Sequence, residues 1–161
     1  MSEINPEQEL CKRCGFCCDG TLFRYAVVKD DDVLLPGMEE VKEKDRSFRQ
    51  PCPYFSELCT AYHLQRPSIC CSYRCDLLEK ASDGEILFEE VAELVRRVKS
   101  QKARLEKMLE AYSGYTLDDR YEQFEVQHKL QLNTPAFRIQ HKDLLIEWAL
   151  YRQRLKEFDT R

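Results

Sequence analysis

The sequence predicts a small, loop-rich, cysteine-dense module with a short strand, followed by an α-helical extension, so that the chain is mostly α. Three observations carry this reading. All nine cysteines of the 161 residues lie between positions 11 and 75. Five of the six prolines lie within residues 1–76. Beyond residue 77, apolar residues recur at helical spacing over long stretches. The boundary falls near Leu77 to Gly84, where Ser82-Asp83-Gly84 is a turn signal. It divides the chain into a cysteine module, 1–76, and a helical extension, 77–161, that packs on it.

Within the module, Leu22 to Val28 reads as the short strand. In the extension, Phe88, Val91, Val95, Val98, Leu105, Leu109 and Tyr112 form one face of a helix over about 86–112. Lys102 interrupts this stripe, and its stem is expected to lie along the seam with its charge in water. Gly114 is a plausible stop. Tyr121, Phe124 and His128 mark a middle helix over about 117–131. Thr134-Pro135 then opens a third helix, with Thr134 as cap and Pro135 at the first helical position. Phe137, His141, Leu144, Trp148, Tyr151, Leu155 and Phe158 follow in 4-3-4-3-4-3 spacing, a stripe expected to pack on another helix. His128 and His141 sit on these stripes and read as buried, hydrogen-bonded residues rather than ligands. The run Arg96, Arg97, Lys99, Lys102, Arg104 and Lys107 reads as a solvated face balanced by nearby glutamates.

Net charge is −4 and is spread over both halves, −3 in residues 1–76 and −1 in residues 77–161. Bulk charge therefore gives no basis for nucleic-acid binding. The N-terminus, Met-Ser-Glu-Ile-Asn-Pro-Glu-Gln-Glu-Leu, has neither the basic nor the apolar segment of a secretory signal. No window approaches the roughly 18 apolar residues of a membrane span. These features lead us to expect a cytoplasmic protein with no membrane association, in which thiols stay reduced. An odd count of nine cysteines also fits complete disulfide pairing badly.

Reduced, clustered thiolates bind soft or borderline metals, chiefly Zn²⁺ and the iron of sulfide clusters. The run Cys11-Lys12-Arg13-Cys14-Gly15-Phe16-Cys17-Cys18 presents three cysteines at i, i+3 and i+6. Iron–sulfur proteins use this spacing with a distant Cys-Pro, supplied here by Cys52-Pro53. Zinc modules favour paired C-x2-C knuckles. The spacing leans toward a 4Fe-4S cluster, with Zn²⁺ as the alternative. The vicinal pairs Cys17/Cys18 and Cys70/Cys71 diverge if their backbone is extended, so the two members of a pair are expected to face different environments. Nine thiols exceed one four-ligand site. Either two sites exist, or one site with additional packed or reactive cysteines.

The ordered motif is C-x2-C-x2-C-C at Cys11, Cys14, Cys17 and Cys18. It continues with Cys52-Pro53-Tyr54, then Cys59, Tyr62, Arg66-Pro67, Cys70 and Cys75. In order and spacing it resembles the CxxCxxCC family of zinc- or iron-chelating cysteine-cluster domains. The likeness covers residues 11–75 and not the extension. It implies metal ligation by the eight matching cysteines, Cys11, Cys14, Cys17, Cys18, Cys52, Cys59, Cys70 and Cys75. Cys71 stands where the family generally has arginine. Similar modules occur beside modifying enzymes, including a flagellin lysine methylase. No S-adenosylmethionine-binding motif is present here, so that activity is not carried over. Arg66, with Tyr62 beside it, is expected either to donate hydrogen bonds to thiolate or sulfide or to pair with a surface acid. Pro67 would stiffen the approach to Cys70.

The sequence thus predicts a metal-binding protein with a thiolate-held 4Fe-4S cluster or zinc, in an accessory or electron-transfer role beside a protein partner. The alternative is a zinc-stabilised interaction module whose helical half grips the partner. A catalytic activity of its own has no support, because the sequence shows no phosphate loop, metalloprotease helix, Ser/His/Asp set or paired acids.

Overall fold

A computed structural model describes residues 5–42 and 45–159. About half of the chain is helical and three short strands form one sheet, so the mostly-α expectation holds. The first helix, α1 (Pro6–Cys14), arises where the sequence shows no apolar stripe, and none of its residues is fully buried. Local chemistry starts it. The Asn5 side chain accepts from the backbone N–H of Glu7 and Gln8, and Pro6 opens the first turn. Gly15 ends it at φ 69°, and a Cβ there would overlap the Phe55 ring.

Strands β1 (Tyr25–Val27), β2 (Glu40–Lys42) and β3 (Arg46–Arg49) form an antiparallel sheet in the order β1-β3-β2. Ala26 lies opposite Phe48, and Phe48 opposite Glu40. The strand expected over Leu22–Val28 is therefore real but only three ladder residues long. Phe48, Ala26, Val28 and Met38 make a small core of their own, which Cys18, Cys52 and Cys70 join. Two short helices, α2 (Ile69–Ser72) and α3 (Asp76–Ser82), follow.

The extension forms α4 (Phe88–Met108), α5 (Leu117–Gln127), α6 (Pro135–Gln140) and α7 (Lys142–Phe158). Two details differ from the expected pattern. The third helix is broken at His141, whose backbone leaves helical values at φ −105° and ψ 17°. Thr134 stands at its start but does not cap it, because its hydroxyl donates to the Gln131 carbonyl instead. At this break between α6 and α7, His141 gathers with Phe124, His128 and Phe137, the rings of Phe137 and His141 4.2 Å apart. His128 Nε2 meets the Tyr112 hydroxyl at 3.0 Å, consistent with a packed, hydrogen-bonded histidine.

The apolar stripes face inward. Val91, Val95, Val98 and Leu105 of α4 meet Leu144, Tyr151, Leu155 and Phe158 of α7 in one core. The interruption in the α4 stripe resolves unexpectedly. Gln101, not Lys102, fills the gap, and it is fully buried. Its amide donates to the Glu147 carbonyl and carboxylate at 3.0 and 2.8 Å, and its oxygen accepts from Arg154. Lys102 is mostly withdrawn from water as well, its side chain 13% exposed. Its ammonium donates to Asp19 at 2.8 Å and Thr21 at 3.0 Å, in the loop that follows the cysteine run. The rest of the basic run is partly paired, Arg96 and Arg97 with Glu93 and Arg104 with Glu147.

The cysteine module and the helices share this core. Phe16 is fully buried in it, its ring 5.1 Å from that of Phe158, and Leu10, Cys14, Leu22 and Cys75 pack beside it. Truncating such a ring removes transfer energy and leaves a cavity, worth about 3–5 kcal/mol for Phe→Ala. Phe16→Ala should therefore lower stability by about that amount. Far-UV circular dichroism and Trp148 fluorescence, both reporting on the helices, should shift to lower denaturant together. An unchanged helical transition would show that the two halves unfold separately.

Candidate functional site

Seven cysteines line one cavity of about 770 Å³: Cys11, Cys17, Cys18, Cys52, Cys59, Cys70 and Cys71. Separate elements deliver them. Helix α1 carries Cys11, and the turn after Gly15 carries Cys17 and Cys18, with Cys18 and Asp19 N–H groups both donating to the Gly15 carbonyl. The Cys52 N–H donates to the Cys18 carbonyl at 2.7 Å, and the Cys59 N–H to the Lys12 carbonyl at 3.3 Å. Helix α2 presents Cys70, whose N–H donates to the Pro67 carbonyl. The start of α2 is pinned by Asp32, which accepts from the Ser68 N–H and hydroxyl, both at 2.8 Å.

Because residues 17 and 18 sit in a turn rather than an extended segment, their side chains do not diverge. The two sulfurs are 3.7 Å apart. Cys70 and Cys71 both border the cavity, Cys70 half-buried and Cys71 exposed at the rim. All nine thiols are free.

Cys14 and Cys75 lie elsewhere. They line a second cleft of about 30 Å³ with apolar walls, which also touches Cys11 and Cys17. The structure therefore brings six of the eight cysteines expected as ligands to the large cavity and sets two apart. Among the described residues, no three His, Cys, Asp or Glu side chains are gathered closely enough to hold a metal ion.

The thiols differ in acidity for physical reasons. The Cys17 thiol shares its proton with Cys11 and Cys18 and is itself held well above the usual range. Accepting that hydrogen bond brings Cys11 down to about 7, helped by the charges of Arg66 and Arg74. Cys18 is lowered for the same first reason. Burial pushes Cys14 and Cys70 up to about 12, and Cys52 up to about 11.

Arg66 and Tyr62 both line the cavity, with the guanidinium 4.1 Å from the Tyr62 ring centroid. The Arg66 Nε is buried without a hydrogen-bond partner. Gln50 was not singled out in the sequence. It too lines the cavity, is 2% exposed and leaves Oε1 unpartnered. Its position two residues before Cys52 is the only sequence signal that pointed to it. Buried polar atoms are almost always satisfied, so two orphans on residues lining one cavity mark a place where polar or charged matter belongs.

Compared with family models, curated proteins and solved structures, the chain matches none. The likeness in cysteine order rests on the residues of this sequence alone. Among the described residues, no helix is long and apolar enough to cross a membrane.

Differential acidity yields a labelling order for the reduced, metal-free protein. Cys11 should react with iodoacetamide at half its maximal rate near pH 7, because only the thiolate attacks. Cys14 and Cys70 should remain unlabelled until far more alkaline pH. The sign for stability follows. A thiol raised from about 9 to about 12, as at Cys14, stabilises the fold below pH 9, and that contribution is lost as pH rises toward 12. Peptide mass spectrometry across a pH series checks the order. Equal labelling of Cys11 and Cys14 at pH 7 would contradict it.

Proposed function

We propose that this chain is a metal-binding protein whose cavity thiolates hold a 4Fe-4S cluster, with Zn²⁺ as the alternative, in an accessory or electron-transfer role. The observation that carries the reading is the convergence of seven free thiols on one cavity beside the unpartnered, buried Arg66 Nε. Four thiolates around Zn²⁺ or a 4Fe-4S core leave net negative charge, and a guanidinium lining the cavity offsets it. The donor set fits such a group in chemistry and charge, while the sulfurs are not gathered at ligating distance in the structure. A cluster held here would supply one-electron transfer.

In this reading Arg66 keeps the thiolates charged and Tyr62 holds the guanidinium over its ring. Pro67 and Asp32 fix the turn that presents Cys70. The cysteine order shared with the zinc- or iron-chelating family supports the same conclusion over residues 11–75. We place the protein in the cytoplasm, where thiols stay reduced, with a protein partner as the source or recipient of electrons. The stripe from Phe137 to Phe158 faces the core, so no specific observation favours a partner gripped by that stripe.

Anaerobic purification from iron-replete cells, followed by iron, zinc and acid-labile sulfide analysis with a visible spectrum, tests the reading. Iron with sulfide is the expected result. Stoichiometric zinc without sulfide would replace the cluster by the alternative, and folded protein free of both would overturn the proposal. Arg66→Gln should weaken metal retention about 10- to 100-fold while leaving the far-UV spectrum intact. Full retention in that variant would remove Arg66 from the site.

A further inference from the structure

We propose that the thiols form two separate four-sulfur centres, Cys11, Cys14, Cys17 and Cys75 around the small cleft and Cys18, Cys52, Cys59 and Cys70 around the large cavity. The small centre takes a single metal ion of the zinc class, and the large one has room for a cluster. The inference rests on the metal-binding reading above and sharpens it.

The partition follows first from the two cavities. Cys14 and Cys75 line only the small cleft. Cys18, Cys52, Cys59 and Cys70 line only the large one, together with the exposed Cys71. Cys11 and Cys17 border both. The large cavity therefore reaches four ligands without them, whereas the small cleft reaches four only with them. Four thiolates is the count a closed, tetrahedral structural site uses.

Packing gives the same division independently. Cys14 and Cys75 join the helical core, while Cys18, Cys52 and Cys70 join the core under the sheet. The backbone agrees. Cys11 and Cys14 are one turn apart on α1, Cys75 immediately precedes α3, and α1 packs against α3. On the other side, the Cys52 N–H is bonded to the Cys18 carbonyl. The i, i+3, i+6 run is thus closed by Cys75, and the distant Cys52-Pro53 serves the second centre. What the fold fixes is the cavity that Cys14, Cys75, Cys18, Cys52, Cys59 and Cys70 face, while the count of four assigns Cys11 and Cys17.

Size separates the two kinds of occupant. The cleft offers about 30 Å³ between apolar walls, the scale of one ion, against about 770 Å³ in the cavity. The vicinal pair Cys17/Cys18, 3.7 Å apart, is the hinge between the centres, one sulfur assigned to each. Ligation at either centre releases the thiol protons to solvent.

The test is metal content in single variants of the full chain, purified anaerobically. Cys14→Ser and Cys75→Ser should each lose one equivalent of zinc and keep iron and sulfide. Cys52→Ser and Cys70→Ser should each lose iron and sulfide and keep zinc. Loss of the same metal from all four variants, or an unchanged zinc content in Cys75→Ser, would overturn the partition. Wild-type protein without any thiolate-bound metal would instead overturn the reading on which it rests. A measurement on wild-type protein covers variants that fail to fold. Under graded chelation followed by alkylation, Cys14 and Cys75 should become labelled in one step, and Cys52 and Cys70 in another. A single step for all four would overturn the partition.

Discussion

The reversal at Gly15 is the constraint on which the rest of this structure depends. The positive φ there ends α1 and turns the chain within the span of one residue, and the Phe55 ring occupies the space a side chain would need. On one side of the turn, Phe16 drops into the helical core against Phe158. On the other, Cys17 and Cys18 face thiols delivered by distant segments. A chain that left α1 at any other angle could not bury Phe16 and present the vicinal pair at once. Only glycine adopts this conformation without strain and without colliding with the ring.

Charge placement then locks the turn to the helices. Lys102 would be a defect in an apolar stripe if its ammonium stayed in the seam alone. Instead it meets Asp19, whose other oxygen accepts from the Thr21 N–H at 2.9 Å. The pair is mostly withdrawn from water, so its geometry has to be good for it to be tolerated. The same helix face uses Lys99 to cap the end of α1, through a bond to the Arg13 carbonyl at 2.6 Å. Two lysines of α4 thus hold the cysteine run, one within it at the end of α1 and one just past Cys18. A basic run that reads as a solvated face is, at these two positions, a clamp.

How much of this was legible in the sequence depends on where the determining interactions lie. The extension was readable because its apolar residues repeat at helical steps, a local signal that marks each helix and its inward face whatever it later packs on. Helix α5 and the body of α4 appear close to where the periodicity put them. The break at His141 was not readable, because Phe137 to Phe158 keeps its spacing through it, and the bend is associated with the aromatic contacts of α5. Helix α1 was missed because it has no apolar stripe, although Asn5-Pro6 and Gly15 are its start and stop signals. Strands β2 and β3 are three and four residues long and are defined only by pairing. At the site, cysteine order identified the thiols but could not sort them into cavities. That sorting depends on α1 lying against α3 and α4, which nothing in the spacing encodes.

The helical half is more than a support placed beside a cysteine module. Val91 and Val95 of α4 and Phe158 at the end of α7 form walls of the small cleft, and Leu78 of α3 lines both cavities. The module's own apolar content beneath the sheet amounts to a few side chains around Phe48. A domain so small buries too little to hold nine thiols in place by itself. Borrowing walls from α4 and α7 solves that problem, and it also sets the dielectric around Cys14 and Cys75. Apolar helix faces disfavour a bare thiolate, as the raised Cys14 shows. They therefore favour any arrangement in which the sulfur's charge is cancelled at once by a cation bound to it. The coupling runs in both directions, since a cleft that needs the helices for its walls gives the helices, through Phe16, a reason to stay docked.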